Sequence, residues 1–349
     1  MNKRRFAAIL LFLAMILSTF SSCKDTNEPQ MQAKTYYEFF DTQSLIFSYS
    51  GDSSESFKAN CEAVADLLEK YHRLFDIYYE YSGINNLKTV NKNAGVKPTE
   101  VDKELIDFLV YAKEIYTITN GKTNIALGSV LKLWHDEREN ADYEPESAKL
   151  PSKEKLQAAS LHTDINAIVI DEENCTVYIS DPDVQLDVGA LGKGYATEKA
   201  AQLHFSRGVS SDVLNIGGNI RAIGTKLSGE GWITGITNPD KSSDESFVCR
   251  VILKDSSLVT SGNYERFYTV DGVAYHHIID PTTNMPATYF SSVSVFCEDS
   301  GLADALSTAL FCVSYEDGLN MIKSIGDIEV IWVGVDGTVK MTDGVDVFS

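Results

Sequence analysis

Apolar side chains recur at Phe57, Cys61, Val64, Leu68, Tyr71 and Phe75, a helical stripe that predicts an amphipathic helix over 55–77. A second helix is expected over 100–117, opened by Thr99 as N-cap, with Leu105, Leu109 and Ala112 on one face. Residues 119–136 (TNGKTNIALGSVLKLWHD) read as a buried loop, and Ser152 caps a short helix to about 160. From Ile165 the pattern turns to period two, predicting strands at 165–170, 174–180 and 184–188. A helix follows Gly194 and stops at Gly208, a residue suited to a helix C-terminus. Further β segments are expected near 212–216, 219–224, 231–236, 247–254 and 257–260. Segments 264–270 and 273–279 form a hairpin across Asp271-Gly272. A strand at 292–297, helices at 301–313 and 316–324, and a hairpin turning at Asp336-Gly337 (329–335 and 338–342) complete the chain. Helices first, then mixed strands and helices, indicate an α+β fold rather than a regularly alternating one.

The first residues change the setting of this fold. Lys3, Arg4 and Arg5 precede an apolar run from Phe6 to Phe20, shorter than the ~20 residues of a spanning helix. Ser21 and Ser22 then lead to Cys23, the pattern of a lipoprotein signal peptide over 1–22 with Cys23 as the lipidated residue. The alternative is an uncleaved anchor; either places the folded body outside the cytoplasm, in a bacterial cell envelope facing the periplasm or exterior. Polar residues 23–34 read as a structureless tether, and 35–349 as the folded domain. Beyond Cys23 come Cys61, Cys175, Cys249, Cys297 and Cys312, widely spaced, so neither a zinc site nor a disulfide framework follows. The formal charge of −20 argues against nucleic-acid or anionic-lipid binding by net charge. Phosphates must instead meet backbone N–H groups, a placed lysine or a divalent metal.

Four stretches could supply these. "DVGALGKGYATEKAA", 187–201, enters a Gly-Lys-Gly turn from a carboxylate, yet matches neither the P-loop nor the dinucleotide fingerprint. In "LADALSTAL", Asp304 and Thr308 share a helix face and offer hard oxygen donors for Mg²⁺ or Ca²⁺; a solvated helix face is the plainer alternative. In "YHHIIDP", His276 and His277 point to opposite sides of a strand, and a histidine suits general-base work near neutral pH. In "LVTSGNYERFY", Ser261 and Gly262 begin a turn able to cradle an anion, while Tyr264 and Arg266 alternate onto one face. "LNIGGNI", 214–220, is a further Gly-Gly turn.

In this order, "DVGALGKGYATEKA", "LNIGGNI", "TSGNYERFY…HHIIDP" and "ADALSTAL" resemble the FAD:protein FMN transferases of the ApbE family over essentially all of 35–345. The resemblance implies an ApbE-like fold with FAD in a cleft between two intimately joined subdomains. It implies Mg²⁺-dependent transfer of FMN from FAD, the substrate, to a Thr or Ser of an exported electron-transfer protein, with AMP released. By the same resemblance Asp187 is a flavin-site aspartate and Lys193 accompanies the dinucleotide. Asp304, Thr308 and the Ala190 carbonyl are the metal ligands, and His277 accepts the acceptor's proton. Phe40 and Tyr81 (or Tyr78) are implied flavin-side aromatics, and Ile278 or Ile279 touches the nucleotide. Lys122, Thr123 and Asn124 stand in the adenosine-side run, Asn124 replacing an Asp, and Ser261, Gly262, Arg266 and Asp280 border the site. Gly192 and Gly194 let the backbone approach the ligand. Thr283-Asn284-Met285-Pro286 departs from the family's Thr-Gly-x-Pro, but Asn tolerates φ > 0. Two alternatives use the same residues: an FAD pyrophosphatase giving FMN and AMP, and a non-catalytic flavin-binding lipoprotein.

Overall fold

The structure, a computed structural model, describes residues 31–49 and 51–348; the signal peptide and Cys23 lie outside the described residues. The stripe of six apolar residues all faces inward on α1 (Ser54–Phe75), which starts where the Ser53 side chain accepts from the Ser56 N–H. Next come α2 (Leu87–Lys92), α3 (Lys103–Ile118), α4 (Gly128–Tyr143), α5 (Lys153–Ala159), α6 (Gly192–Ser206), α7 (Ser300–Phe311) and α8 (Tyr315–Ile325). Eight antiparallel strands form the main sheet. In spatial order they are β1 (Gln32–Tyr36), β2 (Ser44–Ser48), β6 (Ser211–Ile216), β7 (Asn219–Gly224), β10 (Ser257–Gly262), β15 (Phe290–Cys297), β16 (Glu329–Gly334) and β17 (Val339–Met341).

Period-two alternation gives this sheet two apolar faces. Val259, Val295, Val330 and Trp332 pack with α7 and α8, whereas Leu258 and Ile331 face the hairpin of β8 (Trp232–Thr237) and β9 (Phe247–Leu253). Helices α1 and α6 add a separate core built on Leu68, Phe75, Phe108 and Tyr195. These distinct cores lie within one compact unit, Met31–Ser349.

Several sequence expectations are corrected. β1 starts at Gln32, so the last residues read as tether belong to the sheet, and β2 went unread. Thr99 is not a helix cap: it lies in β3 (Thr99–Glu100), its hydroxyl accepts from Asn93 Nδ2 at 2.8 Å, and Asp102 precedes α3 instead. The segment 165–170 opens with a 3₁₀ turn, Ile165–Ala167, before β4 (Ile168–Asp171), which pairs with β5 (Thr176–Ile179).

Segment 184–188 is extended but joins no strand. The Asn91 side chain substitutes for a neighbour, donating to the Leu186 carbonyl at 3.0 Å and accepting its N–H at 2.7 Å. The loop at 125–128 takes the flanking groups, through Asp187 N–H to Ile125 O and Gly128 N–H to Gln185 O. The supposed loop 119–136 contains most of α4, whose narrow buried stripe of Val130, Trp134 and Ala141 is interrupted by charge. The central hairpin is shorter than expected, β11 (Phe267–Val270) with β12 (Val273–His276), and turns at Asp271 and Gly272, both at positive φ. Beyond it β13 (Ile279–Asp280) pairs with β14 (Met285–Pro286), and Asn284 takes φ 59° as its position requires. All five cysteines among the described residues are free; Cys61, Cys297 and Cys312 are buried.

Candidate functional site

The Gly-Lys-Gly turn opens α6 directly against α7. A Cβ on Gly194 would lie 2.3 Å from Asp304 Cβ and 2.4 Å from Ser300 O, so no side chain fits there. Gly194 therefore makes room for α7 rather than for a ligand, a correction to the sequence expectation. Gly192 is less constrained, its added Cβ meeting Phe75 at 3.1 Å. The close approach lets the Gly194 N–H, an unpaired first-turn donor of α6, reach Asp304 Oδ2 at 2.7 Å.

Asn219 Nδ2 donates to the same oxygen at 3.1 Å. Asn219 went unassigned in the sequence, although "LNIGGNI" marks its turn; Gly217 there faces Thr42, which a Cβ would meet at 2.5 Å. The Asp304 Oδ1 accepts no hydrogen bond from the described residues. Burial raises the Asp304 carboxyl above its ordinary range, and Lys193, Gly194 and Asn219 oppose that shift. One turn on, Thr308 Oγ1 lies 3.4 Å from Ser261 Oγ, which is itself 2.8 Å from Ser307 Oγ. A buried carboxylate with one oxygen uncommitted, beside a hydroxyl, suits a hard cation that takes its remaining ligands from a substrate phosphate. Ala190 lies in the half-buried turn before α6. Behind the pair, Glu198 accepts from the Ser300 N–H at 3.1 Å and pairs with buried Arg221, holding the start of α7.

The two hairpin histidines divide as expected. His276 is buried; its Nε2–H donates to Ala287 O at 2.8 Å while Nδ1 accepts the Ile278 N–H. Ile278 is buried in the core and its carbonyl receives the Ala287 N–H. His277 is half-buried, and its Nδ1 lies 3.2 Å from the Arg266 carbonyl. A carbonyl only accepts, so Nδ1 carries the proton and the Nε2 lone pair is left open. Burial first, then the Arg266 charge, pushes the His277 imidazole down to about 3.

Asp187, half-buried, accepts the Gly189 N–H at 2.9 Å; burial raises its carboxyl, against the opposing influence of His135 and Arg138. Tyr78 shares this neighbourhood, as burial, then the Asp187 charge, raise its phenol to about 12 while Arg138 and Arg266 act oppositely. Tyr81, preferred from sequence, instead donates to Asp76 Oδ2 at 2.7 Å under Arg73. The structure thus brings Tyr78, not Tyr81, to Asp187. Phe40 sits at φ 53° with its N–H on His72 Nδ1, on the turn leading to Thr42 and Gly217.

Lys122 and Thr123 join the two halves. Lys122 Nζ donates to Asp280 Oδ1 and Thr282 Oγ1, both at 2.8 Å, and Thr123 Oγ1 donates to Ala305 O at 2.7 Å. Asn124 spends its amide internally, capping a 3₁₀ turn and donating to Thr163 O, so it is not free for a ligand in this conformation. Gly262 is buried, and a Cβ there would strike the Tyr264 ring at 2.7 Å.

The chain is 32% identical over 311 residues to the FAD:protein FMN transferase of Treponema pallidum, covering 85% of this chain and 83% of that protein. It is 27% identical over 290 residues to a Klebsiella pneumoniae protein of the same name, covering 83% and 85%. Among solved structures, the ApbE protein of Thermotoga maritima superposes with TM-score 0.78 at 28% identity, over 90% of this chain and 97% of that one. The Vibrio cholerae flavin transferase shares the fold at TM-score 0.74 and 23% identity, over 91% and 97%. The signature of the ApbE family spans residues 40–332, and with that extent of agreement in sequence and fold the chain belongs to the ApbE family.

Proposed function

We propose that the chain transfers the FMN part of FAD to a Thr or Ser hydroxyl of an acceptor protein, releasing AMP. The observation that carries this reading is the Asp304 carboxylate: buried, anchored by Gly194 and Asn219 on one oxygen, and uncommitted on the other. Asp304, Thr308 and the Ala190 carbonyl would hold Mg²⁺, which when bound supplies charge neutralisation on the diphosphate. Lys193 adds a cation next to it. The acceptor hydroxyl oxygen attacks the FMN-side phosphorus, the bridging P–O bond breaks, and AMP leaves with the bridging oxygen. His277 takes the hydroxyl proton at Nε2, since Nδ1 is committed to Arg266 O. Asp187, Tyr78, Phe40 and the Ile278 segment border the flavin. With Cys23 lipidated, the domain would act at the outer side of a membrane, on an exported electron-transfer protein.

The test is to incubate the purified domain with FAD, Mg²⁺ and a threonine-bearing acceptor domain, then weigh the acceptor. A mass gain equal to FMN, lost on chelation and in Asp304→Ala, is expected. Metal-dependent AMP release with an unmodified acceptor would replace this reading by an FAD pyrophosphatase. Binding without any turnover would leave only a flavin-binding protein.

A further inference from the structure

The turn that carries Phe40, between β1 and β2, runs against the preference of its own residues. Phe40 and Asp41 are consecutive non-glycine residues at φ 53° and φ 52°. In that left-handed region the Cβ crowds the backbone, and a bulky side chain there is an outlier. Such residues persist only where their surroundings hold them, and they gather at ligand sites. Three contacts hold this pair. Thr42 N–H donates to Phe39 O at 3.1 Å and closes the turn, with Phe39 buried in the core. Gly217 N–H donates to Gln43 O at 3.0 Å, and Thr42 fills the space that a Cβ on Gly217 would need. The third contact comes from α1. Phe40 N–H donates to His72 Nδ1 at 3.2 Å, and the two rings meet edge to face with centroids 5.7 Å apart.

His72 stands at the edge of the buried stripe of α1, one turn from both Leu68 and Phe75, so the helix fixes where its half-buried ring stands. Because Nδ1 accepts an N–H, the ring proton sits on Nε2. Removing that acceptor would strip a half-buried N–H of its partner, at the position where the backbone is already strained. The Phe40–Asp41 pair could then relax toward negative φ and carry the Phe40 ring with it. The turn also abuts Gly217, just before Asn219, which donates to Asp304. Phe40 is thereby placed in register with the carboxylate that would hold the metal. We infer that His72 is a positioning residue of the flavin site: by holding the Phe40 N–H it keeps the strained turn closed and the Phe40 ring presented to the flavin. The inference rests on the FAD reading above, in which Phe40 borders the flavin, and adds a residue that no motif marks.

The experiment compares binding of riboflavin, FAD and AMP to wild type, His72→Phe and His72→Asn, with melting temperature as a check on folding. Phenylalanine keeps a ring against Phe40 and removes the acceptor, whereas an asparagine Oδ1 can stand where Nδ1 stands and restore it. Riboflavin and FAD affinity should fall together by about fivefold in His72→Phe, the worth of one hydrogen bond, and recover at least partly in His72→Asn. AMP, which carries no flavin, should bind all three proteins alike. In a Phe40→Ala background, His72→Phe should cost flavin affinity nothing further, because His72 acts through that ring. Unchanged flavin affinity in His72→Phe overturns the inference, and so does an equal loss for AMP, which would mark a general loss of structure. Additive losses in the double variant, or no recovery in His72→Asn, overturn it as well. Wild type that binds FAD while His72→Phe binds it equally refutes the role of His72 and leaves the FAD reading standing; wild type that binds no flavin refutes both.

Discussion

Gly194→Ala is the most stringent test of how the metal pair is built. The new Cβ would sit 2.3 Å from Asp304 Cβ and 2.4 Å from Ser300 O. Carbon atoms settle at roughly 3.5–4.0 Å, so α6 and α7 must part by about 1.2–1.7 Å. The 2.7 Å bond from Gly194 N–H to Asp304 Oδ2 would then stretch to around 4 Å, outside hydrogen-bonding range. Overpacking of this kind costs about 1–3 kcal/mol, and melting falls by roughly 2–4 °C per kcal/mol in domains approaching this size. Moving a ligating carboxylate by more than 1 Å should lower turnover by about a hundredfold. Gly192→Ala is the control: its Cβ meets Phe75 at 3.1 Å, a contact a ring can yield by a few tenths of an ångström. Calorimetric melting, Mg²⁺ titration and AMP release should show a large loss for Gly194→Ala and a small one for Gly192→Ala. Wild-type melting and Mg²⁺ affinity in Gly194→Ala would refute the argument that this glycine exists to let Asp304 in.

Asp304→Asn should abolish the Mg²⁺-induced rise in melting temperature. Because burial raises the Asp304 carboxyl, ionisation opposes folding as pH climbs through its folded pKa, so the metal-free variant should melt no lower than wild type at pH 8; a clear drop would contradict this. The His277 ring, held down to about 3, should show no titration by NMR between pH 5 and 8 in the free protein; a midpoint near 6.5 would exclude the desolvated neutral base. Away from the site, buried His204 and Asp212 lie 3.5 Å apart, burial lowering the first to about 4 and raising the second to about 6. The Asp212 contribution is complete below about pH 4, the ordinary carboxylate value, and lost as pH rises through about 6, so Asp212→Asn should gain more melting temperature at pH 8 than at pH 5. Equal gains at both pH values would count against this.

The parts of the site legible in the sequence are those carried by local periodicity. Asp304 and Thr308 fall on one helical face because four residues make about one turn, and His276 and His277 separate because strand side chains alternate. What stayed hidden depends on side chains from far along the chain. Asn91 holds Leu186 across 95 positions, so 184–188 looks like a strand while pairing with none. Asn219 reaches Asp304 only because β7 starts beside α7. The helix α4 lies in a charged stretch whose buried stripe is too narrow to separate from a loop. Spacing alone likewise says nothing of which hydroxyl Asp76 will claim, and it claims that of Tyr81.

The Lys122–Thr123 pair has a consequence for the thermodynamics of association. Two consecutive residues fasten the hairpin turn at Asp280 and the helix carrying Asp304 to one short loop. The acid that would hold the metal and the base that would take the proton are thereby held in fixed relation before any ligand arrives. Their mutual ordering is settled during folding, so little of the affinity for a dinucleotide need be spent on lost chain freedom. Breaking that stitch should weaken dinucleotide binding, because the two elements would then have to be ordered on association.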